Sequence, residues 1–282
     1  MLTGSAFLFV PANRPDRFAK AIGSGACGAV IDLEDAIDPA EKAQARAILA
    51  GASPDWGRVI VRVNGVGSPW CEEDLATLAS LPARAVMLPK CEGPEHLEAV
   101  RDAVAGGRAR SDVPAIIPQI ETARGLQALD RILASPSVPR VAFGHLDYAV
   151  DLGCDPEWEP MLAARAQIVF ASRLAGKDKP IDSVTPDIAD EARLVAEATA
   201  ARRLGFGAKL LIHPVQVAPT LRAFGPSPED IAWARRVVEA GRASTGAVRL
   251  DGQMIDRPVV DRARRLLAAA EGDPSASVRS QH

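Results

Sequence analysis

Short apolar runs in this chain end in side chains that can hold a cation, grip an anion or move a proton. In chain order the run ends are Asp32-Leu33-Glu34-Asp35, Val61-Arg62-Val63-Asn64, Leu88-Pro89-Lys90, Pro118-Gln119-Ile120-Glu121, Phe143-Gly144-His145-Leu146-Asp147 and Ile212-His213-Pro214, with Asp182 inside a further run. Glu121 and Asp147 end consecutive runs. Two carboxylates on neighbouring rigid elements suit a hard divalent cation such as Mg²⁺, which takes one or two protein carboxylates and leaves its other positions to water and substrate. Arg62 brings a planar fork that can grip a carboxylate or an oxyanion. A cation beside an arginine stabilises an enolate, the charge that develops when a carbon–carbon bond next to a carbonyl is made or broken. The spacing alone therefore predicts an Mg²⁺-dependent lyase or enolising enzyme.

The runs themselves are Phe7–Val10, Ala29–Leu33, Val59–Val63, Ala85–Leu88, Ala115–Ile120, Arg140–Phe143, Pro180–Val184 and Lys209–Ile212. Most are continuously apolar, as expected of parallel strands buried on both faces. Helical patterns rich in Ala, Leu, Arg and Glu separate them, for instance Pro15–Gly23, Pro39–Ala50, Pro94–Ala105, Thr122–Ala134 and Asp187–Gly205. Strand–helix alternation of this kind predicts an α/β fold, a (β/α)₈ TIM barrel, whose C-terminal strand ends converge on one mouth. A doubly wound sheet is the alternative, but no Gly-rich phosphate-binding turn follows the first strand. The barrel is expected over residues 1–240, finished by a helix at Glu229–Ala240. Residues 241–270 read as an appended lid carrying Asp256 and a helix over Val259–Ala270, and residues 271–282 as a disordered polar tail.

Composition narrows the function classes. The 282 residues carry 33 Lys and Arg against 36 Asp and Glu, a net charge of −3, which disfavours nucleic acid and anionic membrane as partners. The N-terminus lacks the basic region of a signal peptide, and no apolar stretch approaches the ~18 residues of a spanning helix. Cys27, Cys71, Cys91 and Cys154 are scattered without a C-x-x-C pair and read as reduced thiols of a cytoplasmic protein.

Phe7-Leu8-Phe9-Val10-Pro11-Ala12-Asn13-Arg14-Pro15-Asp16-Arg17-Phe18 resembles the opening of the citrate lyase β-subunit-like family, within the HpcH/HpaI aldolase/citrate lyase superfamily. The resemblance continues through Val30-Ile31-Asp32-Leu33-Glu34-Asp35-Ala36, the Lys42 region, Val61-Arg62-Val63-Asn64 and Met87-Leu88-Pro89-Lys90. It extends through Ile120-Glu121-Thr122-Ala123-Arg124-Gly125-Leu126, Phe143-Gly144-His145-Leu146-Asp147, Ile212-His213-Pro214 and Asp251-Gly252-Gln253-Met254-Ile255-Asp256. It implies a TIM-barrel lyase that cleaves or forms carbon–carbon bonds in citryl-, malyl- or citramalyl-type thioesters, with Mg²⁺. It further implies that Glu121 and Asp147 hold the metal, where the acid portion of the substrate chelates it, and that Arg62 contacts the substrate. Glu34 and Asp35 match acids near the metal. Asp256 matches an acid that a neighbouring subunit contributes to a lid, so a homo-oligomer, a trimer or a dimer of trimers, is expected.

The remaining candidates are less determined by pattern. Lys90 reads as neutralising an acid or meeting substrate in the mouth. Arg14, with Arg17 and Lys20, reads as meeting the phosphates of coenzyme A. His213 and Asp151 read as structural. Three other functions stay open at this point. A class II aldolase releasing pyruvate from a free oxo acid would rely on a histidine near the second strand, and His96, His145, His213 and His282 all lie elsewhere. The lyase subunit of a multi-subunit citrate lyase would need a partner acyl carrier protein. A non-catalytic barrel would not need intact Glu121, Asp147 and Arg62.

Overall fold

The structure is a computed structural model that describes residues 4–105, 113–242, 248–250 and 252–270. The expected tail, 271–282, lies outside the described residues. Eight parallel strands close into a barrel in sequence order: β1 (Ala6–Pro11), β2 (Gly28–Asp32), β3 (Val59–Arg62), β4 (Ala85–Leu88), β5 (Ala115–Ile120), β6 (Ala142–Phe143), β7 (Ile181–Asp182) and β8 (Ala208–Leu211). Between and after them run α1 (Phe18–Gly23), α2 (Lys42–Ala50), α3 (Cys71–Ser80), α4 (Pro94–Ala105), α5 (Ala123–Gln127), α6 (Leu129–Leu133), α7 (His145–Leu152), α8 (Leu162–Leu174), α9 (Glu191–Leu204) and α10 (Val217–Phe224). Phe7, Val30, Ile60, Met87, Ile117, Ala142, Ile181 and Leu210, one from each strand, form a single buried cluster. That layer fills the barrel, and helices cover the outer faces, which is why the strands read as unbroken apolar runs.

Several boundaries differ from those expected. The sixth and seventh strands shrink to two residues each. Pro139 and Pro180, just before them, have no N–H to give a ladder. Thr122–Ala134 splits into α5 and α6, with the Thr122 hydroxyl accepting from the Gly125 amide at the start of α5. Asp147 lies in the first turn of α7, not at a strand end. Only Gly144 separates β6 from α7, so no loop marks where the strand gives way to the helix.

The described residues from Leu221 on form a second compact unit, so its boundary falls some way before the expected 240. It holds α11 (Pro228–Arg242), a hairpin of β9 (Val248–Leu250) and β10 (Gln253–Ile255), and α12 (Arg257–Ala270). Ala234 and Val237 of α11 bury against Ile255 and Ala263, with Trp233, Val260 and Leu266 around them. The helix expected to finish the barrel therefore belongs to this unit, because its apolar face packs on α12. Asp256 is the N-cap of α12, its carboxylate accepting from the Val259 amide at 3.2 Å, with Pro258 in the first turn.

Candidate active site

β2 and β3 place Asp32 beside Arg62 in register. The guanidinium donates from Nε and one terminal nitrogen to the two Asp32 carboxylate oxygens, each at 2.7 Å. Its other terminal nitrogen lies 3.0 Å from Glu34 and 3.7 Å from Asp35, and its carbon sits 4.5 Å from the centre of the Phe9 ring. Burial alone would raise the Asp32 carboxyl, yet the Arg62 charge and hydrogen bonds hold it below the usual range. The planar edge that could have gripped a substrate carboxylate is thus spent on Asp32. What remains toward the mouth is the outer edge of the guanidinium.

Two further acids come from β5 and α7, and a lysine from just past the end of β4. Glu121, at the end of β5, is buried; one oxygen accepts from the Gln119 side chain at 2.8 Å and the other from the Lys90 amide at 2.9 Å. Lys90 reaches that amide geometry in the left-handed region, at φ 49°, a strained backbone of the kind that gathers at functional sites. Its ammonium stands 2.8 Å from Glu34 and 3.4 Å from Asp147. Burial, and next the charge of Glu34, push Glu121 up to about 8. Burial likewise raises Glu34. Gly144 has to be glycine, since a Cβ there would stand 2.1 Å from a Glu121 oxygen. Glu121, Gln119, Gly144 and Asp147, together with Phe9, Asp32, Asp35, Arg62 and Ser183, line a cavity of about 360 Å³.

The donor set has the composition a hard cation requires. Among the described residues no group of three or more His, Cys, Asp and Glu side chains is arranged as a metal cage. Glu121 and Asp147 are a two-carboxylate set instead, which suits an ion that keeps water and substrate in its other positions. Glu121, driven up by burial and by Glu34, gains from any cation placed against it.

The residues singled out in the sequence separate into two groups. Arg62, Glu34, Asp35, Lys90, Glu121 and Asp147 meet at this mouth. Arg14 bonds Asp16 through two nitrogens, at 3.0 and 3.1 Å, on its own exposed turn. His213 caps the turn Pro214–Gln216, and Asp151 accepts from the Ala123 amide at 2.7 Å, both structural. Asp182 is sealed between Arg165 and Lys209, away from the mouth. Asp32, Gln119, Gly144 and Ser183 were not singled out. For Asp32 a signal existed, since it opens the Asp-Leu-Glu-Asp run and stands on the strand beside Arg62. Nothing in the pattern marked Ser183.

His145, at the start of α7, is buried, with Nδ1 2.6 Å from the Ser183 hydroxyl. Burial, then the Arg165 charge, push it down to about 4, below the ordinary 6.5. Below pH 6.5 the unfolded chain protonates this ring and the folded one does not, so stability falls with pH down to about 4. The loss should reach on the order of 3 kcal/mol across that window. Urea unfolding at pH 7 and pH 5 should show the slope, and His145→Asn should flatten it.

Comparison with known proteins agrees with the geometry. The HpcH/HpaI aldolase/citrate lyase family profile matches residues 5–214. A citrate lyase subunit beta-like protein of Mycobacterium tuberculosis is 35% identical over 274 residues, covering 95% of this chain and 96% of the relative. A (3S)-malyl-CoA thioesterase of Cereibacter sphaeroides is 34% identical, covering 94% of this chain and 93% of its own. The crystal structure of CitE from Mycobacterium tuberculosis in complex with magnesium, acetoacetate and coenzyme A superposes with a TM-score of 0.86, at 34% identity, covering 95% of this chain and 98% of that one. With a closed eight-stranded barrel, a converging set of acids around one arginine and matches along nearly its whole length, the chain belongs to the HpcH/HpaI aldolase/citrate lyase family of carbon–carbon lyases.

Proposed function

We propose that this enzyme cleaves, or in reverse forms, the carbon–carbon bond of a 3-hydroxyacyl thioester of coenzyme A, with Mg²⁺ at Glu121 and Asp147. One observation carries the reading: Glu34, Glu121 and Asp147 converge on Lys90 at the rim of a cavity whose wall is Arg62. The CitE structure with magnesium, acetoacetate and coenzyme A supports the metal and the carrier. The named malyl-CoA thioesterase supports a hydroxyacyl thioester. Bound there, Mg²⁺ would supply a positive charge for the oxygens of the acid portion and for negative charge developing on them.

The chain's own groups divide the remaining work. The outer edge of Arg62 orients the acid portion, and Asp32 and Phe9 hold it in place. Asp35 lines the cavity 3.7 Å from Arg62 and takes the hydroxyl proton. As the C–C bond breaks, its electron pair moves into the thioester half, which leaves as an enolate and then takes up a proton; the other half leaves as an oxo acid. Glu34, engaged by both Arg62 and Lys90, is a holding group. A panel of hydroxyacyl-CoA thioesters with Mg²⁺, read by released glyoxylate, pyruvate or oxaloacetate, tests this. Turnover of free 4-hydroxy-2-oxo acids alone would point instead to the aldolase activity.

Asp256 from a neighbouring copy is the proposed proton donor to the enolate, in a homo-oligomer, with the appended segment closing the mouth against water. Its exposure and its place at the start of α12 suit a group presented outward. Asp256→Ala and Glu121→Ala proteins should each be inactive alone. Mixed after subunit exchange, they should recover part of the activity, because some sites receive both intact residues. No recovery, or a fully active monomer, would defeat the proposal.

A further inference from the structure

Among the described residues Asp147 has one ion-pair partner, Lys90 at 3.4 Å, and its side chain is 42% exposed. Its position therefore depends on how α7 is seated. A helix normally starts on a side chain that accepts from its first free amides. Here that position is Gly144, which has no side chain to offer and cannot acquire one, because a Cβ would meet Glu121. The cap comes from another strand. The Ser183 hydroxyl, just past β7, accepts from the His145 amide at 3.1 Å and lies 2.6 Å from the His145 ring Nδ1. With Nδ1 accepting, one hydroxyl uses its proton and a lone pair on the same residue, a two-point clasp on the first turn of α7.

The clasp has a firm base. The β6–β7 seam is paired at one position, Ala142 with Ile181, and β7 ends at Asp182, so the strand ladder stops short of Ser183. Buried side chains hold the chain there instead. Asp182 accepts from Arg165 at 2.9 Å and from Lys209 at 3.3 Å, and Lys209 also donates to the Ser183 carbonyl at 2.7 Å. Arg165 in turn lies 4.2 Å from the Trp158 ring and 5.3 Å from that of Phe143.

We propose that Ser183 and His145 are positioning residues for the metal site: their clasp seats the first turn of α7 so that the Asp147 carboxylate faces Glu121. This rests on the reading of Asp147 as a metal ligand. Removing a group that orients a ligand typically weakens metal binding by about ten- to a hundred-fold. Calorimetric titration of the full chain with MgCl₂ should show a loss of that size in Ser183→Ala and in His145→Leu. His145→Asn, whose side-chain oxygen can stand where Nδ1 stood, should bind within about threefold of wild type. Asp147→Asn is the control for the underlying reading. If Asp147→Asn binds Mg²⁺ as wild type does, the metal assignment fails. If Asp147→Asn is impaired while Ser183→Ala is within twofold of wild type, the positioning proposal alone fails. Should Ser183→Ala not fold, the histidine pair decides: equal losses in His145→Asn and His145→Leu would overturn the clasp.

Discussion

Glu121→Gln should reduce Mg²⁺-dependent turnover by three orders of magnitude or more while making the metal-free protein harder to unfold. The two effects have one cause. Glu121 is 2% exposed, and burial with the Glu34 charge pushes it up to about 8. Above its unfolded value of 4.5 the folded state must either keep a proton that the unfolded state has released or carry a buried charge, so the group costs stability as pH rises toward 8. At neutral pH the cost is on the order of 3 kcal/mol. Glutamine removes the charge, keeps the shape and still accepts one of the two hydrogen bonds from Gln119 and Lys90. It also removes the anionic group proposed to hold the metal. A buried carboxylate kept at the expense of stability is the mark of a residue retained for function. The measurements are thermal unfolding in chelator and turnover under saturating Mg²⁺. A variant that unfolds more easily, or that turns over normally, would show that Glu121 is held for packing.

The barrel was legible in the sequence because its strands are buried on both faces. Val59, Ile60 and Val61, like Ala85–Leu88, are apolar without alternation, and the charged residue beyond each run, Arg62 or Lys90, marks the mouth. The charged groups at the mouth were legible for the same reason: Glu121 and Lys90 interrupt apolar runs where the chain leaves the core. What escaped was whatever depends on distance along the chain. Asp32 faces Arg62 thirty residues away, a contact that shows only once the second and third strands are set side by side. Ser183 reaches His145 from the next strand, through a hydroxyl that in sequence resembles any loop serine. Asp147 was identified as a residue but misplaced, because the helix that carries it starts directly after a two-residue strand. The extension was misjudged by its packing: α11 reads as one more barrel helix until its apolar face is seen against α12.

Arg62→Lys should lower kcat/KM by about ten- to a thousand-fold, by analogy with the loss of one oxyanion donor. The structure changes where that loss arises. Lysine keeps the charge, but one ammonium cannot reproduce the two parallel bonds to Asp32 and still present a donor to the cavity. Asp32, 1% exposed, keeps the amides of Glu34 and Ala36 as partners, and it would draw the ammonium onto itself. The substrate would then face a site whose positive charge is occupied. Asp32→Asn separates the two contributions. It leaves the guanidinium in the site but weakens the grip on it, so its activity should fall less than that of Arg62→Lys. Circular dichroism must show both variants folded for the comparison to hold. If Arg62→Lys matches wild type, the guanidinium does not touch substrate. If Asp32→Asn is the more damaged of the two, Asp32 itself takes part in the chemistry, and the buried pair is more than a mount for Arg62.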